Sequence, residues 1–485
     1  MDRRPASPIY AFVGVRALVA GGLATALVAG RSPELPLVGL VVIATLAFDR
    51  HHLVTLRNFV LVYTVVVFGL GTAAFHYAPS SIVPDVVAYL LAFLSGYAVA
   101  SGGILGSADR EAPAPGAPTV VAGDGERGPL NRRAVEAAIV ALVALNIAFL
   151  AFQLEKYGIG AYYRGQALLD QFLSYGQASP TGGAEQIGRF LLKFCGIGLV
   201  ILYAQACYEA RARVRYRYPI GLLVALPILS LRRYDAVVGA LTALAVYACE
   251  RRVAGRRGQA QGFRVTRTVA LAAAMASAVL AALAIGVLRQ GFVDPGAGAP
   301  DAGNLPVLTS ELSPVRAYDD ITTNIGVLGY PRGRTIVVPL LLKVVPRAWF
   351  PDKPLNSAAY YLSIVRPGEL AAGYAVPPTF YGDAYLNFGF GGALVACLLL
   401  GVVAARLDRA YKRPVLTRIP FFLILWASAF SLMRDPMSES LAGVLLTLGV
   451  WFVADHLLRH RASAPARGAV APSVPAAAGA TGGVR

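Results

Sequence analysis

Residues 379–404 read TFYGDAYLNFGFGGALVACLLLGVVA, and Arg406, Arg409, Lys412, Arg413 and Arg418 follow within the next 14 residues. A polar opening, an uncharged apolar run and an abrupt basic stop describe a helix that crosses a bilayer and ends at a charged face. Comparable apolar segments occupy residues 10–30, 34–49, 58–78, 82–105, 134–153, 187–208, 218–231, 235–249, 268–288, 419–433 and 438–458. The expectation is an all-α polytopic membrane protein with about twelve transmembrane helices. Composition agrees, because the 485 residues are 56% hydrophobic and only 15% charged, against about 25% charged in soluble domains.

The formal charge of +17, from 44 Lys and Arg against 27 Asp and Glu, would suit nucleic acid in a soluble protein. Its distribution argues against that partner. Arg211/Arg213/Arg215/Arg217, Arg251/Arg252/Arg256/Arg257/Arg264/Arg267, the cluster after residue 404, and Arg459/Arg461 all fall on one side if the N-terminus is inside and the crossings are even in number. Lys and Arg concentrate on the cytoplasmic side, so both termini are expected in the cytoplasm of an inner-membrane protein. Asp2-Arg3-Arg4 precedes the first segment, which contains Arg16 and is followed by further spans; it reads as an uncleaved helix. Cys195, Cys207, Cys249 and Cys397 lie in apolar segments and form no CxxC pair.

Residues 1–461 therefore form one membrane domain, with a Pro/Gly-rich cytoplasmic linker at 107–131 and outer loops at 154–186 and 289–378. The Ala/Pro/Gly-rich tail 462–485 is expected to be disordered. No internal repeat of the kind that duplicated transporters carry is visible. Within the large extracytoplasmic loop, Thr335 to Val345 is apolar but holds Pro339 and Lys343. It is too short to cross about 30 Å of hydrocarbon and reads as a re-entrant or interfacial helix.

Charges on the outer side run against the general bias. Arg232-Arg233-Tyr234-Asp235 joins two helices within only 32 residues, from Pro219 to Glu250, so its tip is expected to stop within a cavity. Arg434-Asp435-Pro436 repeats the pattern. Charges at membrane depth cost at least about 2.5 kcal/mol and line pathways or sites; the plainer reading pairs each Arg with its neighbouring Asp. Surplus guanidinium suits phosphate. Arg164 lies in the first outer loop, and Pro346-Arg347-Ala348-Trp349-Phe350-Pro351-Asp352-Lys353-Pro354 holds Arg347 and Lys353 at headgroup level beside a Trp-Phe pair. In Pro377-Pro378-Thr379-Phe380-Tyr381-Gly382-Asp383-Ala384-Tyr385-Leu386-Asn387-Phe388-Gly389, Asp383 and Asn387 share a helical face. A buried Asp383 is expected to meet one of these arginines. Asp319-Asp320 lacks a third metal ligand nearby, His76 reads as a helix-end residue or reserve base, and Gly158-Ile159-Gly160 lacks the context for dinucleotide binding.

The Pro-Arg-x-x-x-Pro-Asp-Lys-Pro run and the Pro-Thr-Phe-x-Gly-Asp-x-Tyr-x-Asn-Phe-Gly run resemble bacterial oligosaccharide repeat-unit polymerases, the Wzy-type O-antigen polymerases. Leu231-Arg232-Arg233-Tyr234-Asp235 and Arg434-Asp435 are similar to arginine positions of that family, and Asp383 stands where Glu is commoner. The resemblance implies transfer of a growing glycan from undecaprenyl pyrophosphate to an incoming lipid-linked unit, without cofactor or metal, making O-antigen, capsule or exopolysaccharide. It also implies contact with membrane lipid and with a chain-length regulator protein. Asp383, Arg232 and Arg233 would then be catalytic, the carboxylate taking the acceptor proton and the cations stabilising the leaving pyrophosphate. Arg347, Lys353, Arg434, Arg164 and Asn387 would bind substrate, and Tyr162, Tyr163, Tyr360, Tyr361, Tyr374 and Tyr381 are candidates for stacking on sugars. An O-antigen ligase is disfavoured because residues 289–378 hold no histidine. A polyprenyl-monophosphate glycosyltransferase lacks its acidic pair in Arg31-Ser32-Pro33-Glu34, and a transporter would place its polar residues nearer the midplane.

Overall fold

The computed structural model describes residues 35–49, 52, 54–74, 79–101, 130–163, 180–230, 232–256, 313–343, 345, 350, 353–371, 376–412, 414 and 416–463. Its regular elements are helices. They run α1 (Leu35–Ala47), α2 (Leu56–Thr64, continuing through Val65–Leu70 as a π-helix to Gly71–Ala74), α3 (Pro79–Ser101), α4 (Arg132–Tyr157), α5 (Ile159–Tyr163), α6 (Pro180–Glu209), α7 (Arg217–Leu229, with a π turn at Gly221–Ala225) and α8 (Arg233–Arg256). After the large loop begins come α9 (Pro314–Thr323), α10 (Ile325–Leu328), α11 (Arg334–Leu341), α12 (Ser357–Val365) and α13 (Pro367–Ala371), then α14 (Thr379–Lys412), α15 (Ile419–Arg434) and α16 (Met437–Ser463).

Among the described residues, five helices are long and apolar enough to cross a membrane: Ile82–Ser101, Arg132–Tyr157, Gly188–Glu209, Thr379–Lys412 and Met437–Arg459. Leu37–Ala47, Leu56–Leu70, Arg217–Leu229 and Ile419–Arg434 are shorter apolar helices. Of the expected spans, 10–30 and 268–288 lie outside the described residues, as do the linker 107–131 and nearly all of the tail. Thr335–Val345 is helical only to Leu341, with Thr335, Ile336 and Pro339 buried and Leu341 exposed.

Small residues let these helices touch. The most extensive pairing joins α3 to α14, where a Cβ on Gly96 would come 2.0 Å from the Leu398 carbonyl and one on Gly401 would come 2.0 Å from that of Phe93. Buried Ala393, Cys397, Ala404 and Ala405 continue the seam. Lipid gives two apolar helices no hydrophobic reason to associate, so close backbone packing of this kind supplies the attraction. Gly239 of α8 meets the Leu223 carbonyl in the same way, seating α8 on the π turn of α7. By contrast α4 packs on α6 and leaves Val140, Leu145, Ile147 and Phe152 exposed, an apolar surface suited to lipid.

Contacts sort the helix termini into two ends. At one, Arg459 of α16 forks onto Glu209 of α6 (2.6 and 3.1 Å) and bonds Asp455 (2.9 Å). Arg409 of α14 caps Ala100 of α3 at 2.7 Å, Lys412 pairs with Asp49 at 2.8 Å, and Arg252 of α8 lies over Tyr411. The arginine-rich termini of α6, α7, α8, α14 and α16 thus gather on one side, as the charge distribution requires. At the opposite end lie the starts of α8, α14 and α16, the end of α15, and the layer of short helices α9–α13.

Candidate functional site

Charged residues distant in sequence converge at this opposite end. Lys193, four turns inside apolar α6, pairs with Asp235 at the start of α8 at 2.6 Å. Its ammonium lies 4.5 Å from the centre of the Tyr234 ring, and the Arg434 guanidinium lies 5.2 Å from the same ring. The Tyr234 hydroxyl donates to Asp435 and is bonded to Ser431, so this one side chain ties α8 to the α15–α16 turn. Arg434 meets Asp435 at 3.5 Å. Lys343, just beyond α11, pairs with Glu439 at 3.1 Å, and Asn356 donates to the same Glu439 oxygen at 2.9 Å. Two cations lie against the Tyr234 ring, each with an aspartate partner, and the Lys343–Glu439 pair lies close by, in a region partly shielded from water. Burial pushes the Asp435 carboxyl above its ordinary value, although Arg434 and the Tyr234 hydroxyl favour its charged form.

The Pro-Pro-Thr-Phe-Tyr-Gly-Asp segment is held beside this cluster under strain. Thr379 is fully buried with φ 65°, and its hydroxyl accepts the Gly382 N–H at 3.1 Å. A β-branched residue at positive φ costs about 1–3 kcal/mol and persists where the surroundings over-determine it, often at functional sites. The segment ends at Gly389 (φ 71°, ψ −175°), a conformation available only to glycine, which separates the first turns of α14 from its long apolar part. Between these points, Asp383 and Asn387 are fully buried. Asp383 Oδ1 accepts from Asn387 Nδ2 at 2.9 Å, and its Oδ2 accepts the Met437 N–H at 2.6 Å. Asp383 therefore caps the N-terminus of α16, where a negative charge is favoured. Asn387 Oδ1 accepts from Gly333 N–H (3.0 Å) and Thr335 Oγ1 (2.9 Å), fastening α11 to the same segment.

The arginine expected beside Asp383 does not appear among the described residues, where its partners are an amide side chain and a backbone N–H. Arg232 is half-buried and has no ion-pair partner among the described residues. Arg233 begins α8, but its side chain lies outside the described residues, as do Arg347, Arg164, His76, Tyr163 and Tyr374. Lys353 donates to the Val345 carbonyl at 3.2 Å. Tyr162, Tyr360, Tyr361 and Tyr381 spend their hydroxyls on Ser230, Leu328, Val376 and Thr64, and three of the four are buried outright. They hold the fold rather than present rings. Asp319 and Asp320 are on helix α9, and Arg366 takes both oxygens of Asp320 (2.7 and 2.8 Å), which leaves no metal pair there.

Lys193, Lys343, Asn356 and Glu439 were not anticipated as site residues. Lys193 and Glu439 carried a signal, because each is one of few charges inside a largely apolar segment; Asn356 carried none. No family model, no characterised protein and no solved structure matches this chain.

Proposed function

We propose that this chain polymerises lipid-linked oligosaccharide repeat units on the outer face of the inner membrane, as the resemblance of its motifs implies. About twelve crossings and cytoplasmic termini belong to that reading. What supports it is the convergence of Lys193 and Arg434 on Tyr234, with the Lys343–Glu439 pair close by, at the end opposite the arginine clusters. Fixed cations in a partly desolvated site stabilise charge that develops on a departing pyrophosphate, and guanidinium grips phosphate oxygens in pairs.

In the proposed step, an acceptor sugar hydroxyl attacks the anomeric carbon of the donor. The new carbon–oxygen bond forms as the bond to pyrophosphate breaks, the electron pair leaves with the phosphate, and the hydroxyl proton passes to a carboxylate. Glu439 suits that last role better than Asp383. Both Asp383 oxygens are committed and sealed from solvent. Glu439 is partly exposed, and its two bonds fall on Oε1, which leaves Oε2 open among the described residues. Asp383 then becomes a positioning residue, fixing Met437 two positions before Glu439.

Purified protein given one lipid-linked repeat unit should produce a ladder on a gel. A single exchange of glycan between lipids would indicate a ligase, and unchanged substrate would sink both. The topology is tested separately: a cysteine placed at Gly298 should react with a membrane-impermeant thiol reagent in intact spheroplasts, and labelling only after lysis would invert the orientation.

A further inference from the structure

A second carboxylate lies outside this cluster and plays no part in the proposed chemistry. Asp85 is the one charged residue of α3. It stands near the helix start, far from Tyr97 and Ala100 at the arginine-rich end. No cation meets it among the described residues. Its contact is the Tyr318 hydroxyl, which donates to Oδ2 at 3.1 Å and lies 3.1 Å from the Tyr89 hydroxyl. A carboxylate without a cation in an apolar helix is costly, and such residues mark ligand pathways.

Its surroundings specify the ligand. Tyr318 is fully buried, with Phe68, Tyr89 and Tyr385 packed edge-on against it, and Tyr89 is covered by Tyr381 and Phe390. Of these rings only Tyr318 directs its hydroxyl to Asp85, with the Tyr89 hydroxyl behind it, and none presents an open face there. The open aromatic surface lies alongside: Tyr385 is half-buried, and Tyr330 is 49% exposed and rests on Gly389 beside Tyr385. A carboxylate and phenol hydroxyls next to an exposed ring match a pyranose, with its several hydroxyls and one apolar face. An organic cation would instead need open ring faces around the charge.

We propose that Asp85, held in place by Tyr318, forms a saccharide subsite with Tyr385 and Tyr330, resting on the reading of the substrate as an oligosaccharide. Tyr385 and Asp383 are two residues apart on one helix, about 200° around its axis. Asp383 faces α16 and the cation cluster, whereas Tyr385 faces Tyr318 and Asp85. The subsite therefore holds sugars away from the reacting bond and governs affinity, not the chemical step.

The probe is the repeat-unit oligosaccharide released from its lipid by mild acid, observed by saturation-transfer NMR with the purified protein in detergent. Transfer should be seen with wild type and weaken about fivefold in Asp85→Asn and in Tyr330→Ala, roughly the effect of one sugar-stacking or charged hydrogen-bond contact. Tyr330 is at the surface, so its replacement decides the matter even if Asp85→Asn misfolds. Equal transfer in Tyr330→Ala, no transfer in wild type, or displacement of the sugar by tetramethylammonium would each overturn the subsite. The measurement needs no turnover. Sugar binding that depends on Tyr330 in a protein that makes no ladder would keep the subsite and remove the polymerase reading.

Discussion

Helix α14 carries a fully buried aspartate near each of its ends, and the two do the same structural job. Asp383 accepts the Met437 N–H at the start of α16. Asp408 accepts the Leu56 and Arg57 N–H groups at the start of α2, at 2.7 and 3.2 Å, with Tyr97 as a third donor at 3.1 Å. What differs is the residue each anchored helix presents next. At the Asp408 end it is Arg57, which is buried, pairs with Asp49 at 3.3 Å and lies over Tyr97. At the Asp383 end it is Glu439, with one oxygen open and Lys343, Lys193 and Arg434 gathered nearby. At both ends cations pair with carboxylates, but at the Asp383 end one carboxylate, Glu439, is only partly covered and keeps an oxygen open among the described residues. A buried carboxylate on its own is thus no sign of chemistry, whereas an accessible one among cations is.

The largest effect should come from Glu439→Gln, which keeps the shape and the Asn356 contact but removes the proton acceptor. Loss of a general base lowers rates by about 10² to 10⁴, so elongation should fall by that much while insertion and thermal unfolding stay close to wild type. Elongation at the wild-type rate would erase the functional difference between the two ends.

Arginines at the two ends offer the next comparison. Arg434→Ala should slow elongation at least about tenfold, and Arg434→Lys should recover little of it, since an ammonium does not reproduce the planar fork. Arg459→Ala, at the other end, breaks a partly buried forked pair with Glu209 and should lower the unfolding temperature without changing the rate per folded molecule. Breaking a buried pair costs up to about 3–5 kcal/mol, and the partial exposure of Arg459 places it below that range. If Arg459→Ala slowed elongation as much as Arg434→Ala, the two ends would not be distinct.

The helices were legible in the sequence because apolar runs and basic stops report a local solvent preference. Segment 379–404 and its following arginines needed nothing else. Asp383–Asn387 was legible as a pair, because four-residue spacing on a helix brings side chains together. Its partner was not: Met437 donates through its backbone, and a main-chain N–H leaves no mark on composition. Lys343 meeting Glu439 and Lys193 meeting Tyr234 depend on how α6, α8, α11 and α16 pack, which pattern alone does not encode. Three of the candidate tyrosines, Tyr162, Tyr361 and Tyr381, are buried, for a related reason that the sequence does not carry. Exposure decides whether a ring stacks on a sugar or fills a core, and buried Tyr361 and Tyr381 look no different in sequence from half-exposed Tyr385.

The smallest and most discriminating effect concerns the two aspartates themselves. Asp383→Asn places an amide where both oxygens accepted hydrogen bonds, so its NH₂ must face either the Met437 N–H or the Asn387 NH₂. One donor is left unsatisfied, at about 1–3 kcal/mol. Asp408→Asn meets the same conflict with Leu56 and Arg57, eased only where the Tyr97 hydroxyl can turn to accept. Both variants should therefore unfold at lower temperature, Asp383→Asn somewhat more so. Only Asp383→Asn should also slow elongation, by about tenfold, because the start of α16 and with it Glu439 is less firmly placed; this is well short of the loss expected for a missing base. The double variant Asp383→Asn/Glu439→Gln makes the distinction sharp. If Asp383 acts through Glu439, the double variant should elongate no more slowly than Glu439→Gln alone, since coupled residues fail to add. Fully additive losses would instead give Asp383 a part in the chemistry independent of Glu439, and the likeness between the two ends of α14 would be one of hydrogen bonding alone.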